Sequence, residues 1–217
     1  MGIIDYIGIL INFILHIDKH LFELVQRYDT WIYLILFLIV FAETGLVVTP
    51  LLPGDSLLFA AGALAAPPDN PLNVFYLMII FFFAAFGGDN TNYFIGNYIG
   101  PKVFEKNYRF LKKDYLNKTQ EFYEKHGGKA VIFARFVPIV RTFAPFVAGV
   151  GSMTYNRFIG FSVLASILWI NICVWAGYFF GRLEIVKNNF SLVVIAIIGI
   201  SLVPILIGII KQKFSSK

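Results

Sequence analysis

Residues 43–62 read ETGLVVTPLLPGDSLLFAAG, and this stretch decides the fold. Two carboxylates, Glu43 and Asp55, and the helix breakers Pro50, Pro53 and Gly54 sit inside a long apolar region. Irregular backbone at membrane depth is tolerated only where protein buries it or a wet cavity borders it. An ionisable side chain at that depth marks a functional site by default. Residues 135–149, RFVPIVRTFAPFVAG, form a counterpart of opposite charge, with Arg135 and Arg141 beside Pro138 and Pro145. The chain reads as a scaffold that brings these two stretches together.

The composition sets this reading in a membrane. Of 217 residues, 58% are hydrophobic and 14% charged, and the mean hydropathy is +0.74. A soluble domain carries about 25% charged residues. The 24 Phe and 11 Tyr suit lipid-facing and interfacial positions. The net charge of +5 follows the membrane loops, so a nucleic-acid partner is not expected. One cysteine, Cys173, excludes a disulfide framework and a cysteine metal site within one chain. His16 and His20 lie one helical turn apart, but lack the further ligands a metal needs, and no metal or cofactor is expected. The N-terminus shows no basic n-region followed by a small-residue cleavage site.

Outward from residue 43, the chain reads as one membrane domain over 1–217. Residues 1–29 read either as a marginal first span or as an interfacial helix, because the apolar run gives way to Asp18, Lys19, Glu23 and Arg27. Repeat 1 covers 30–100. It holds an apolar helix from Trp31 to Val48, the Pro50 and Pro53-Gly54 break, a short helix capped by Asp55 or Ser56, and a span from Asn73 to Gly100. Residues 101–129 form a basic loop, which stays on the cytoplasmic side. Repeat 2 covers 130–182. Here Pro138 interrupts a first arm, Thr142 caps a second arm with Pro145 in its first turn, and a span runs from Phe158 to Gly181. A C-terminal span covers 189–210, and Lys211, Lys213 and Lys217 place the C-terminus in the cytoplasm.

The two halves share words. Ala61-Gly62 recurs as Ala148-Gly149, and Tyr93-Phe94-Ile95-Gly96 as Tyr178-Phe179-Phe180-Gly181. The expected architecture is therefore all-α and integral to the membrane: an inverted repeat of two re-entrant helical hairpins, each followed by a transmembrane helix, plus a C-terminal transmembrane helix. Each second arm starts inside the membrane with free amides and the positive end of its dipole, which together attract anions. Arg135 and Arg141 add fixed charge and a planar fork suited to phosphate. Glu43 and Asp55 balance that charge and offer proton sites, since desolvation disfavours a charged carboxyl. Asp89 is a secondary candidate. The opposing reading holds that the charges are static pairs that fasten the hairpins. No nucleophile, base and orienter combination appears, so the chain is not expected to be an enzyme.

The words FAETGLVVTPLLPGDSLLFAAGALA (41–65), GGDNTNYFIG (87–96), FYEKHGGKAVIFARFVPIVRTFAPFVAG (122–149) and AGYFFG (176–181) resemble the DedA family, also called the SNARE-associated or VTT-domain family. The likeness runs over nearly the whole chain. It implies a multi-pass protein of the bacterial inner membrane with two opposed re-entrant hairpins. It also implies that the family's acidic positions fall on Glu43 and Asp55 and its essential arginines on Arg135 and Arg141. The implied activity is transport of an anionic lipid, foremost undecaprenyl phosphate moved from the periplasmic to the cytoplasmic leaflet, with coupling to the proton motive force. The alternatives are a proton-coupled small-ion antiporter, a broader phospholipid scramblase, and a scaffold for other envelope proteins. Membrane lipids and protons are the expected partners, and self-association is left open. Asn92 and Asn97 depart from the family pattern, where many members carry Gly and a basic residue.

Overall fold

The computed structural model describes residues 30–45, 54–67, 70, 72–105, 127–151 and 153–190, with single positions on either flank (23, 25, 27, 28, 192, 193, 195–197 and 199). Pro50, Pro53, most of the basic loop, most of residues 1–29 and much of the C-terminal span fall outside these residues.

Every element among the described residues is helical. In chain order these are α1 (Trp31–Gly45), α2 (Gly54–Leu64), α3 (Val74–Glu105), α4 (Lys129–Ala134), α5 (Pro138–Val150), α6 (Tyr155–Phe180) and α7 (Glu184–Asn188). Two helices contain stretches long and apolar enough to cross a bilayer, Val74–Ile99 and Tyr155–Phe180, each 26 residues. At 1.5 Å per residue such a stretch covers about 39 Å, against about 30 Å of hydrocarbon. Phe83 and Phe94 on α3, and Ile172 and Phe179 on α6, are exposed. A row of large apolar side chains facing outward suits lipid and would be a liability in water.

The helix ends follow local chemistry. Asn73 caps α3, its Oδ1 accepting from the amides of Phe75 at 2.9 Å and Tyr76 at 3.3 Å. α3 then runs past Gly100 to Glu105, so the first five residues assigned to the basic loop are helical. Repeat 2 also breaks earlier than expected. The amides of Arg135, Phe136 and Val137 close tight turns onto Ile132, Phe133 and Ala134, ending α4. Val137 is extended and Pro138 opens α5. The reason is steric: proline pushes its predecessor out of the helical region and fits the first helical position, where an amide would be unpaired anyway. Pro138 therefore starts the second arm rather than interrupting the first, and Thr142 and Pro145 fall inside α5, not at its cap. The two arms, α4 and α5, pack against each other.

The chain divides into two compact units. One, the α2 unit, comprises residues 1–36, 53–80 and 170–217; the other, the α5 unit, comprises 37–52 and 81–169. Neither coincides with a sequential half. In the α2 unit, α2 lies against α6, which belongs to the second half of the chain. In the α5 unit, α5 lies against α3, which belongs to the first half. Glycine makes both approaches possible. A Cβ on Gly62 would collide with the Val174 carbonyl, and one on Gly149 with the Tyr93 carbonyl. Such small-residue seams are how helices approach closely in lipid, where apolar burial supplies no drive. The core of the α5 unit continues from this seam through Tyr93, Val131, Ala148, Met153 and Phe158. The Tyr93 and Phe158 rings stack with centroids 4.4 Å apart.

Candidate functional site

The site lies within the α5 unit and is built from four charged side chains. Glu43, Asp89, Arg135 and Arg141 are 1%, 1%, 3% and 5% exposed. They come from α1, α3, the α4–α5 break and the first turns of α5. Arg135 is the residue that caps the end of α4, and Arg141 is held by the first helical bond of α5, its amide to the Val137 carbonyl at 2.9 Å. The break thus places one arginine at the end of each arm, and α5 has no side-chain cap on its free amides.

The charges pair. Arg141 Nη2 donates to Glu43 Oε1. Arg135 Nη1 donates to Asp89 Oδ2 at 2.5 Å, and Ser162 Oγ donates to the same oxygen at 2.7 Å. Glu43 stands in the last turn of α1, where the helix dipole disfavours a negative charge, and Arg141 supplies the compensation. Beneath both arginines lies one indole. The guanidinium carbons of Arg135 and Arg141 stand 4.9 and 5.0 Å from the Trp169 ring centre. Two cations on one ring repel, and the carboxylates of Glu43 and Asp89 offset that repulsion.

Asn92 holds the frame. Its Nδ2 donates to the Thr44 carbonyl at 2.5 Å and to the Thr142 carbonyl at 3.2 Å. Those carbonyls are the chain neighbours of Glu43 and Arg141, so one amide fixes the spacing of that pair. Thr44 is held in turn, its hydroxyl donating to the Val40 carbonyl at 2.8 Å.

The Arg135–Asp89 contact uses one oxygen and one nitrogen. Arg135 Nε and Nη2 are buried and donate to no acceptor among the described residues, and Asp89 Oδ1 accepts from none. A guanidinium normally binds an oxyanion through two parallel donors. Arg135 therefore keeps a buried fork edge unused, and unmade bonds of this kind are costly unless water or a ligand completes them.

Of the residues singled out from sequence, the structure brings together Glu43, Arg135, Arg141 and Asp89. Asp55 lies half-buried in the first turn of α2 and belongs to the other unit. Asp89, ranked second from sequence, is the partner of Arg135. Trp169 and Ser162 were not expected to take part. Asp89 lies 46 positions from Arg135 and 73 from Ser162, and no local spacing signals either contact. Among the described residues no group of His, Cys, Asp and Glu side chains could hold a metal ion.

The VTT domain matches residues 52–179 of the chain. The chain is 54% identical over 210 residues to "Protein DedA" of Escherichia coli strain K12, covering 96% of each chain. It is 46% identical to an uncharacterized membrane protein, MT0380, of Mycobacterium tuberculosis, covering 79% of this chain and 75% of the other. It is 32% identical to "Inner membrane protein YqjA" of E. coli K12, covering 70% and 68%. No solved structure matches.

Proposed function

The chain belongs to the VTT-domain (DedA) family of membrane proteins, and from that premise we propose that it carries an anionic lipid across the bilayer. The substrate we propose is undecaprenyl phosphate, moved from the periplasmic to the cytoplasmic leaflet of the inner membrane. In this reading the α4–α5 pair is one re-entrant hairpin and the α1–α2 segment is its inverted counterpart. The observation that carries the reading is Arg135, buried beside Arg141 over one indole with part of its fork unused. A fixed pair of buried guanidiniums is suited to a phosphate, not to a small cation.

The carboxylates supply the coupling. Asp89 and Glu43 occupy the oxyanion positions on Arg135 and Arg141 in this structure. A lipid phosphate must compete with them. Protonation of either carboxyl withdraws its charge and frees an arginine for the phosphate, so proton uptake and anion binding favour each other. Asp55, inside the first turn of α2, serves as a second proton site in this reading.

Purified protein should retain a polyprenyl phosphate but not the uncharged polyprenol. Arg135→Lys and Arg141→Lys should bind about tenfold more weakly, because lysine offers a point charge instead of a fork. Glu43→Gln and Asp89→Asn should keep or raise affinity for the phosphate while slowing gradient-driven lipid movement in vesicles. Loss of both binding and movement, with a lowered melting temperature, would show that these groups only fasten helices together.

A further inference from the structure

The α2 unit contains a cavity that the site above does not use. Its volume is about 800 Å³, and it opens between the loop after α2, the start of α3 and the end of α6. This size lies in the range of small-molecule pockets. Its lining is mixed: Ala66, Asn70 and Phe75 on one side, Tyr178, Gly181 and Arg182 on the other.

Arg182 is the charged group of this lining, and it is held in place. Its Nη2 donates to the Ala66 carbonyl at 3.0 Å and to the Tyr178 hydroxyl at 2.6 Å. Its guanidinium carbon lies 4.4 Å from the centre of the Tyr178 ring. Both hydrogen bonds use the same nitrogen, and no carboxylate pairs with Arg182 among the described residues. The rest of the fork is left for an acceptor, and all of its present partners are neutral. A guanidinium fixed on one edge and open on the other is preorganised for an oxyanion.

The depth of the cavity narrows the ligand. Asn73 and Val74, in its lining, stand at the start of one candidate span, and Gly181 and Arg182 immediately follow the end of the other. Around it is a belt of aromatic side chains: Phe75 meets Trp175 at 6.2 Å, and Trp175 meets Tyr178 at 5.3 Å, both edge-on. Tryptophan and tyrosine concentrate where hydrocarbon meets headgroups. The anions found at that level are phosphate esters of lipids.

We propose that this cavity is a second anion site, at the headgroup level of the bilayer, which binds a phosphate ester through Arg182. It is independent of the Arg135–Arg141 cluster and takes a headgroup whether or not that cluster carries a lipid.

The test uses the full chain in nanodiscs of phosphatidylcholine with a tenth of a photoreactive phosphatidylglycerol, followed by peptide mapping. Labelling is expected on peptides that contain 70–75 or 178–182. Arg182→Gln should reduce that labelling about tenfold, the loss of one charge-assisted pair. Arg182→Lys should reduce it less. Tyr178→Phe keeps the ring and removes only the hydroxyl that steadies the guanidinium, so an intermediate loss is expected even if Arg182→Gln folds poorly. Arg135→Lys should leave the labelling unchanged, which separates this site from the transport proposal. Protection by millimolar inorganic phosphate would assign the site to a free anion, and protection by unlabelled phosphatidylglycerol alone to a lipid headgroup; either supports an anion site. Labelling that ignores both Arg182 and Tyr178 substitutions, or that falls only on 135–150, overturns it.

Discussion

In the α5 unit, Gly149 meets the carbonyl of Tyr93 and Gly96 meets that of Phe146; in the α2 unit, Gly62 meets Val174 and Gly177 meets Phe59. By the sequence repeat, Gly62 corresponds to Gly149 and Tyr178 to Tyr93, so an identical register would set Gly62 against Tyr178. It meets Val174 instead, four residues or about one helical turn earlier. The packing device is repeated with a one-turn shift, whereas the ion pairs Arg135–Asp89 and Arg141–Glu43 belong to the α5 unit. The α5 unit buries two arginine–carboxylate pairs. In the α2 unit Arg182 stands on neutral partners at a cavity. Close helix contact is therefore a property of the shared frame, and charge is a property of the individual unit.

The largest expected effect tests whether the charges in the α5 unit are coupled. Arg141→Ala strands the buried Glu43, and Arg135→Ala strands Asp89. Breaking a buried pair from one side costs about 3–5 kcal/mol, because the remaining charge is uncompensated. Each single variant should unfold at markedly lower temperature in detergent. Glu43→Gln combined with Arg141→Gln should recover much of the loss, since neither charge of that pair is left facing an uncharged partner. If the double variant is as unstable as the sum of the singles, the pairs are not coupled and the contrast between the units loses its main term.

The next effect should be equal in both units. Gly62→Ala and Gly149→Ala each place a methyl group against a backbone carbonyl, which cannot swing away as a side chain can. Overpacking of this kind costs about 1–3 kcal/mol. Similar losses at the two positions, measured by thermal unfolding, would confirm that the seam is a common frame. Tolerance at Gly62 with intolerance at Gly149 would tie the seam to the buried charges instead.

The same division explains what could be read from sequence. Glycine and proline act locally, so the seams at Gly62 and Gly149 were visible as repeated words and the break at Pro138 as a proline in an apolar run. Even there the physics has two readings. Pro138 was expected to interrupt a helix, but a proline is as much at home opening one, and it does so here. Glu43, Arg135 and Arg141 stood out because ionisable groups are rare in apolar segments. Their partners did not, because pairing is tertiary. Asp89 lies 46 positions from Arg135 and Glu43 lies 98 from Arg141. An indole in an apolar span such as Trp169 signals packing alone; only the fold reveals that both guanidiniums rest on it. Asp55 had the same sequence credentials as Glu43, and the structure sets it in the first turn of α2.

The smallest effect sharpens the comparison most, because it sets one arginine against another. Arg135 and Arg182 both rest on an aromatic ring and both donate to an oxygen. They differ in burial and in the charge of their partners. Arg135 is 3% exposed and faces a carboxylate, whereas Arg182 is exposed and faces a carbonyl and a hydroxyl. Among the described residues, removing Arg182 strands no charge, and its partners are neutral. An exposed cation–π contact is worth about 0.5–1 kcal/mol, and a surface substitution otherwise changes stability by about 0.5 kcal/mol or less. Arg182→Gln should therefore shift the melting temperature only slightly, while Arg135→Gln, in the same detergent and protein batch, lowers it several-fold further. A small stability change beside a large loss of anion labelling is the pattern of a binding residue. Equal destabilisation by the two substitutions would make Arg182 a fastening of α6 to the loop after α2, and the difference in how the two units use charge would not hold.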